Sequence, residues 1–167
     1  MLRRTLAVLA TSLLVSIISA PQQASAATWI DHGTSWSNPD ARAPRVLDLR
    51  YATHANFDRV VIDIRGLIPG YRTFYARSFV YDGSGATVPM RGGLGLVLRP
   101  AYAHNDAGHS VYDGPRLVRP GFPQLKAIAM TGDFEGQVNF AFGLADHASY
   151  RIYRLHDPQR IVIDFHH

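Results

Sequence analysis

The alternation of hydrophobic and polar positions is clearest in two stretches. Phe57 to Gly66 reads FDRVVIDIRG, and Pro158 to Phe165 reads PQRIVIDF. With Arg59 set on Arg160, the two runs agree in character at each step as far as Ile64 and Phe165. Both are rich in β-branched residues and repeat with period two, which predicts strands that bury one face. Val60, Ile62 and Ile64 share one face of the first run, and Ile161, Ile163 and Phe165 share one face of the second. The opposite faces carry Arg59, Val61 and Asp63, and Arg160, Val162 and Asp164. A strand buried on both sides seldom takes Arg and Asp, so these faces are expected to meet water or a partner. Antiparallel pairing with Val61 opposite Val162 sets Arg59 against Asp164 and Arg160 against Asp63. Two such cross-strand ion pairs would pin the register, each worth a few tenths to about 1 kcal/mol.

The same pattern predicts further strands. A first strand starts near Arg45 and runs through Val46, Leu47 and Leu49 to Tyr51, and Ala52 to Asn56 turns the chain. Pro69-Gly70 precedes a long alternating strand from Tyr71 that extends toward Tyr81. DGSGATVPMRGG is a turn-dense connection, because Gly tolerates positive φ and Pro ends ladders. Short strands follow at Leu94 to Leu98, Leu125 to Thr131, Gln137 to Leu144 and Tyr150 to Leu155. No stripe of period 3.6 bounded by caps survives the glycines and prolines. The expectation is an all-β fold: a two-sheet β-sandwich of about eight or nine short strands with little or no helix. Pro100 to Gly121 is a long irregular stretch, and loops of that length are often functional.

Composition adds compartment and organisation. The chain has 167 residues, with no cysteine and a formal charge of +4. Residues 1–26 have the layout of a secretory signal peptide: Arg3 and Arg4, an apolar stretch from Leu6 to Ile18, then Ala24-Ser25-Ala26 before the cut. Removing Arg3 and Arg4 lowers the charge from +4 to +2, too mild to argue for nucleic-acid binding. Residues 27–44 are polar and aperiodic and are expected to form a flexible leader containing Trp29 and Trp36. Tryptophans so placed either pack back on the domain edge or form a ligand platform. A single domain is expected over residues 45–167, with no membrane span once the signal is cleaved. The absence of cysteine excludes a lipidated N-terminal Cys, a thiol nucleophile and thiolate metal ligands.

Several stretches together resemble the AMIN-like domain of secreted actinobacterial envelope proteins. They are RYATHANFDRVVIDI (Arg50 to Ile64), PGYR (Pro69 to Arg72), DGSGATVPMRGG (Asp82 to Gly93), GDFEGQVNFAFGL (Gly132 to Leu144) and YRIYRLHDPQRIVIDF (Tyr150 to Phe165). The resemblance implies two face-packed sheets. It also implies kinship with AMIN domains, non-catalytic envelope modules associated with peptidoglycan. Ala52 stands where the pattern R-x-G-x-H would place Gly. The family's typical polar positions map to His54, Asp58, Arg59, Glu135 and Arg160, a candidate binding set. A structural reading competes with it: His54 caps the turn while Asp58 and Arg59 tie the hairpin together, since the planar Arg fork holds a carboxylate at two points. GDFEG reads as a turn with a bulge between two strands, with Glu135-Gly136 as the bulge device.

Tyr102 and His104, in the long loop, complete the candidate ligand-binding set; Tyr offers a flat apolar face and a hydroxyl suited to sugar rings. His104, Asn105, Asp106 and His109 carry metal-ligating atoms, but a metal needs fixed geometry and a supporting shell, and no metal or other cofactor is expected. Ser84 in DGSGA lacks the G-x-S-x-G spacing of a nucleophile elbow and reads as a turn serine. Asp63, Asp133, Glu135 and Asp164 can be paired on paper for glycoside cleavage, as the acids of any domain can. The function expected is a secreted, non-catalytic module that binds peptidoglycan or another cell-wall glycan. The alternatives are a protein-partner module at the cell surface and, third, a wall or polysaccharide hydrolase.

Overall fold

The computed structural model describes residues 27–167. The segment read as a signal peptide, residues 1–26, lies outside the described residues. Among the described residues there are ten strands and no helix. They are β1 (Ser35–Trp36), β2 (Arg45–Thr53), β3 (Phe57–Arg65), β4 (Gly70–Ala76), β5 (Gly93–Arg99), β6 (Leu117–Val118), β7 (Leu125–Phe134), β8 (Gln137–Leu144), β9 (Tyr150–Leu155) and β10 (Arg160–His166). One sheet has the order β1-β4-β5-β8-β7-β6 and the other β2-β3-β10-β9. All pairings between these strands are antiparallel. The expected all-β sandwich is therefore present. The two strands that the pattern did not place, β1 and β6, are two-residue edge pieces, too short to show a period.

The two signature runs pair as neighbours in the expected register: Val61 faces Val162, Arg59 faces Asp164 and Asp63 faces Arg160. Val60, Ile62, Ile161, Ile163 and Phe165 are fully buried, and Ile64 is nearly so. They meet Leu94, Leu96, Leu98, Ile128, Phe140 and Phe142 from the larger sheet in one core. Each such side chain contributes roughly 1.5–3 kcal/mol by leaving water.

Three expectations need correction. The third long strand ends at Ala76, not near Tyr81; beyond it Phe79 turns in against Val88, Ala129 and Ala141 in a second small core. Phe74 covers Gly95, where a Cβ would lie 2.5 Å from the ring. The outer face of the smaller sheet is not uniformly exposed: Val162 and Asp164 are buried. The stretch read as a flexible leader is laid along the domain, because its few apolar residues find partners. Ile30 bridges Tyr150, β1 pairs with β4, and Ala41 is buried. Trp36 packs on the core beside Tyr71, with the Arg154 guanidinium 4.0 Å from its ring centre.

Candidate functional site

Strand direction divides the candidate residues between the two ends of the sandwich. His54 and Asp58 lie where β2 ends and β3 begins. Arg160, Tyr102, His104 and Glu135 lie at the opposite end, where β2 and β10 begin and β5 and β7 finish. The structure thus does not gather the set into one patch.

At the first end the polar groups hold the fold. His54 closes the β2–β3 turn through its backbone N–H to Phe57 O (2.9 Å), and its ring stacks on Phe57. Asp58 points into the body, not across the hairpin. Its Oδ2 accepts the backbone N–H groups of Gln124 and Leu125, both at 2.8 Å, and so ties β3 to the start of β7 in the other sheet. The His167 ring lies 3.4 Å from its Oδ1.

Arg59 pairs with Asp164 as the register requires, through Nε to Oδ1 (2.7 Å) and Nη2 to Oδ2 (3.0 Å). Arg151 Nε adds a third bond to Oδ2 at 2.7 Å. The Asp164 carboxylate raises the Arg59 guanidinium above its ordinary value, with burial opposing. Aromatic rings flank both arginines: Arg59 lies over Phe57, and Arg151 over Trp29 and Phe57. The second expected pair does not form. Asp63 is taken by Arg50 from the neighbouring strand (2.8 and 3.0 Å), and Arg160 donates instead to Pro158 O. Arg50 and Arg160 lie on the strands either side of Asp63, but only Arg50 reaches it, presenting Nε and Nη2 to its two oxygens together.

The opposite end carries a cleft of about 310 Å³ lined by Ala43, Arg45, Tyr102, His104, Asn105, Asp106 and Gly108. Sequence order alone hides how it is built. Tyr102 bridges Arg45 in parallel fashion, through Val46 N–H to Tyr102 O (2.8 Å) and Tyr102 N–H to Pro44 O (3.1 Å). The Arg45 guanidinium sits 4.9 Å from the Tyr102 ring centre and bonds Asp106. His104 stands edge-on to Tyr102 with ring centres 5.4 Å apart. Asp133, at the end of β7, accepts Ala103 N–H at Oδ1 (3.0 Å) and lies 2.7 Å from His104 Nδ1 at Oδ2. One carboxylate therefore holds both the loop backbone and the imidazole. Asn105 Oδ1 accepts the N–H groups of Ala107 and His109 and shapes the loop tip.

Glu135 and Gly136 form the two-residue turn between β7 and β8, with φ of 50° and 73°. Positive φ at both positions is what a type I′ hairpin turn requires. Glu135-Gly136 is thus the turn itself; the register shifts in this strand pair lie earlier, between Leu125 and Ala127 and between Met130 and Gly132. Gly136 O accepts Ala101 N–H (2.9 Å), which lashes the turn to the cleft-bearing loop. Sequence reasoning missed Arg45 and Asp133. Arg45 lies outside the quoted stretches, and Asp133, inside GDFEGQVNFAFGL, had weight only as one of many acids. The nearby Phe134, 67 % exposed, was absent from the expected set as well.

The described residues thus form a helix-free sandwich with a small cleft of aromatic and polar side chains at one end. A family model for the AMIN-like domain matches residues 44–167, and the chain belongs to that family. Comparison with curated proteins and with solved structures returns no match. Membership points to an envelope-associated binding module. No helix among the described residues is long and apolar enough to cross a membrane.

Proposed function

We propose that the protein is a secreted, non-catalytic module that binds a cell-wall glycan, peptidoglycan above all, in the Arg45–Tyr102–His104 cleft. One observation carries this reading. Asp133 holds Ala103 N–H and the His104 ring together, so an aromatic face and an imidazole stand fixed before any ligand arrives. Fixing them beforehand lowers the ordering cost of binding. A sugar ring would lie on the Tyr102 face, with Asn105 and His104 at its hydroxyl groups. Glycoside cleavage needs one protonated acid and one free carboxylate on either side of the same bond. Here Asp106 is engaged by Arg45, and Asp133 by Ala103 and His104, which favours binding over hydrolysis.

Pelleting with purified peptidoglycan tests the reading. The wild-type protein is expected in the pellet, with Tyr102→Ala and His104→Ala left largely in the supernatant while retaining the wild-type circular dichroism. A wild-type protein that stays in solution, or a Tyr102→Ala protein that pellets as well as wild type, overturns it. The protein-partner reading draws support from Phe134, whose ring stands in solvent at the tip of the β7–β8 hairpin. A defined protein adduct on cross-linking in culture, lost in Phe134→Ser, would favour that reading.

A further inference from the structure

A second cleft, larger than the Tyr102 one, lies at the other end of the sandwich, and nothing in the glycan reading uses it. It measures about 550 Å³ and opens where β4 and β8 finish and β5 begins. Its floor is apolar and partly bare backbone: Ala76, Gly92, Gly93, Leu144 and Ala145. The two glycines are forced by packing. A Cβ on Gly92 would lie 2.5 Å from Ala76 O and 2.8 Å from Arg77 Cα, and one on Gly93 would strike Phe142 O. The rim is cationic. Arg77 and Arg91 both line the cleft and are exposed, and neither has an acidic partner among the described residues.

The other polar groups at this rim are already engaged. Arg91 Nη1 makes one long bond, to Ala145 O (3.4 Å). Asp146, the acid of the lining, accepts Gln124 Nε2 at Oδ1 (2.9 Å) and at its backbone oxygen (3.1 Å). His147 donates from Nε2 to Asp31 O (2.9 Å) and packs on Tyr75, ring centres 4.1 Å apart, as a side wall. Tyr75 donates its hydroxyl to Ala148 O, which fixes that wall. In the smaller sheet Arg50, Arg59 and Arg151 each hold a carboxylate; the arginines of this rim hold none.

We infer that this cleft is a second binding site, for a ligand that carries a phosphate or carboxylate on a small body of sugar or polyol size. Arg77 and Arg91 take the anion, as guanidinium groups do through paired N–H donors. The glycine floor and Tyr75 take the body. The site stands apart from the Tyr102 cleft, so the two readings can fail separately.

NMR titration of the full protein separates the outcomes. The probes are glycerol phosphate and glucuronate, with glycerol and glucose as their neutral counterparts. At least one anion is expected to bind about tenfold or more tightly than its counterpart, since charge-assisted bonds are roughly twice as strong as neutral ones. The tighter of the two anions identifies the chemistry. Binding should weaken as salt rises. Read at the Gly92 and Gly93 amides, Arg77→Ala and Arg91→Ala should each reduce affinity about tenfold, the loss of one charged hydrogen bond. Both arginines are exposed, so both variants are expected to fold. Equal affinity for anion and counterpart, no binding of either anion, or full affinity in both arginine variants overturns the inference.

Discussion

Asp164 sits on the outer face of a sheet, yet it is fully buried. Three N–H groups, two from Arg59 and one from Arg151, close over its carboxylate. Asp164→Ala removes three charge-assisted bonds at roughly 1.5–3 kcal/mol each before compensation. The arginine side chains are 29 % and 23 % exposed and recover part of that from water. The net cost is expected near 3 kcal/mol, the low end for a broken buried ion pair. Arg59→Ala leaves Asp164 Oδ1 buried without a donor and should cost about 2–3 kcal/mol. Arg151→Ala leaves both oxygens held by Arg59 and should cost about 1–2 kcal/mol. Urea unfolding followed by tryptophan fluorescence reads all three as shifts in midpoint at constant slope. Trp29 lies 4.6 Å from the Arg151 guanidinium and reports the site directly. An Asp164→Ala cost below about 1 kcal/mol, the worth of an exposed pair, would refute the reasoning. So would a larger loss from Arg151→Ala than from Arg59→Ala.

Two further outcomes follow from the fold. Asp58→Ala orphans the buried N–H groups of Gln124 and Leu125 and should destabilise by about 2–5 kcal/mol; Asp58→Asn, which keeps an acceptor, should cost less than half of that in the same urea titration. If both variants unfold at the wild-type midpoint, Asp58 does not link the sheets. Burial raises the phenol groups of Tyr75, Tyr112, Tyr150, Tyr71 and Tyr153 above their ordinary value of 10.0. A raised folded-state value gives stability that is whole below the unfolded value and is lost as pH rises toward the folded one. Stability should therefore begin to fall above about pH 10, with tyrosinate absorbance appearing in step with unfolding. Titration of all eight tyrosines near pH 10 in a protein that remains folded would contradict this.

Period-two alternation in two β-branched runs was enough to state the all-β class, the buried faces of β3 and β10 and their antiparallel register. Those properties depend on neighbours within a few residues and on the pleat, which a linear pattern records. The resemblance of several stretches carried the family. What the pattern lacked was any account of third partners. Asp63 is as near in register to Arg160 as Asp164 is to Arg59, yet Arg50 captures Asp63 from the next strand, and Arg151 buries Asp164 from the other side. Which arginine wins is settled by strand order in the sheet, a long-range property. The same holds for the cleft: Arg45, Tyr102 and Asp133 are distant in the chain and meet only when a loop of the larger sheet lies beside the start of β2. The chain's own residues thus determined its strands and their inward faces. Only tertiary packing decided which charges are paired, and where an aromatic ring and an imidazole stand together, because those contacts are chosen among competitors that sequence distance does not rank.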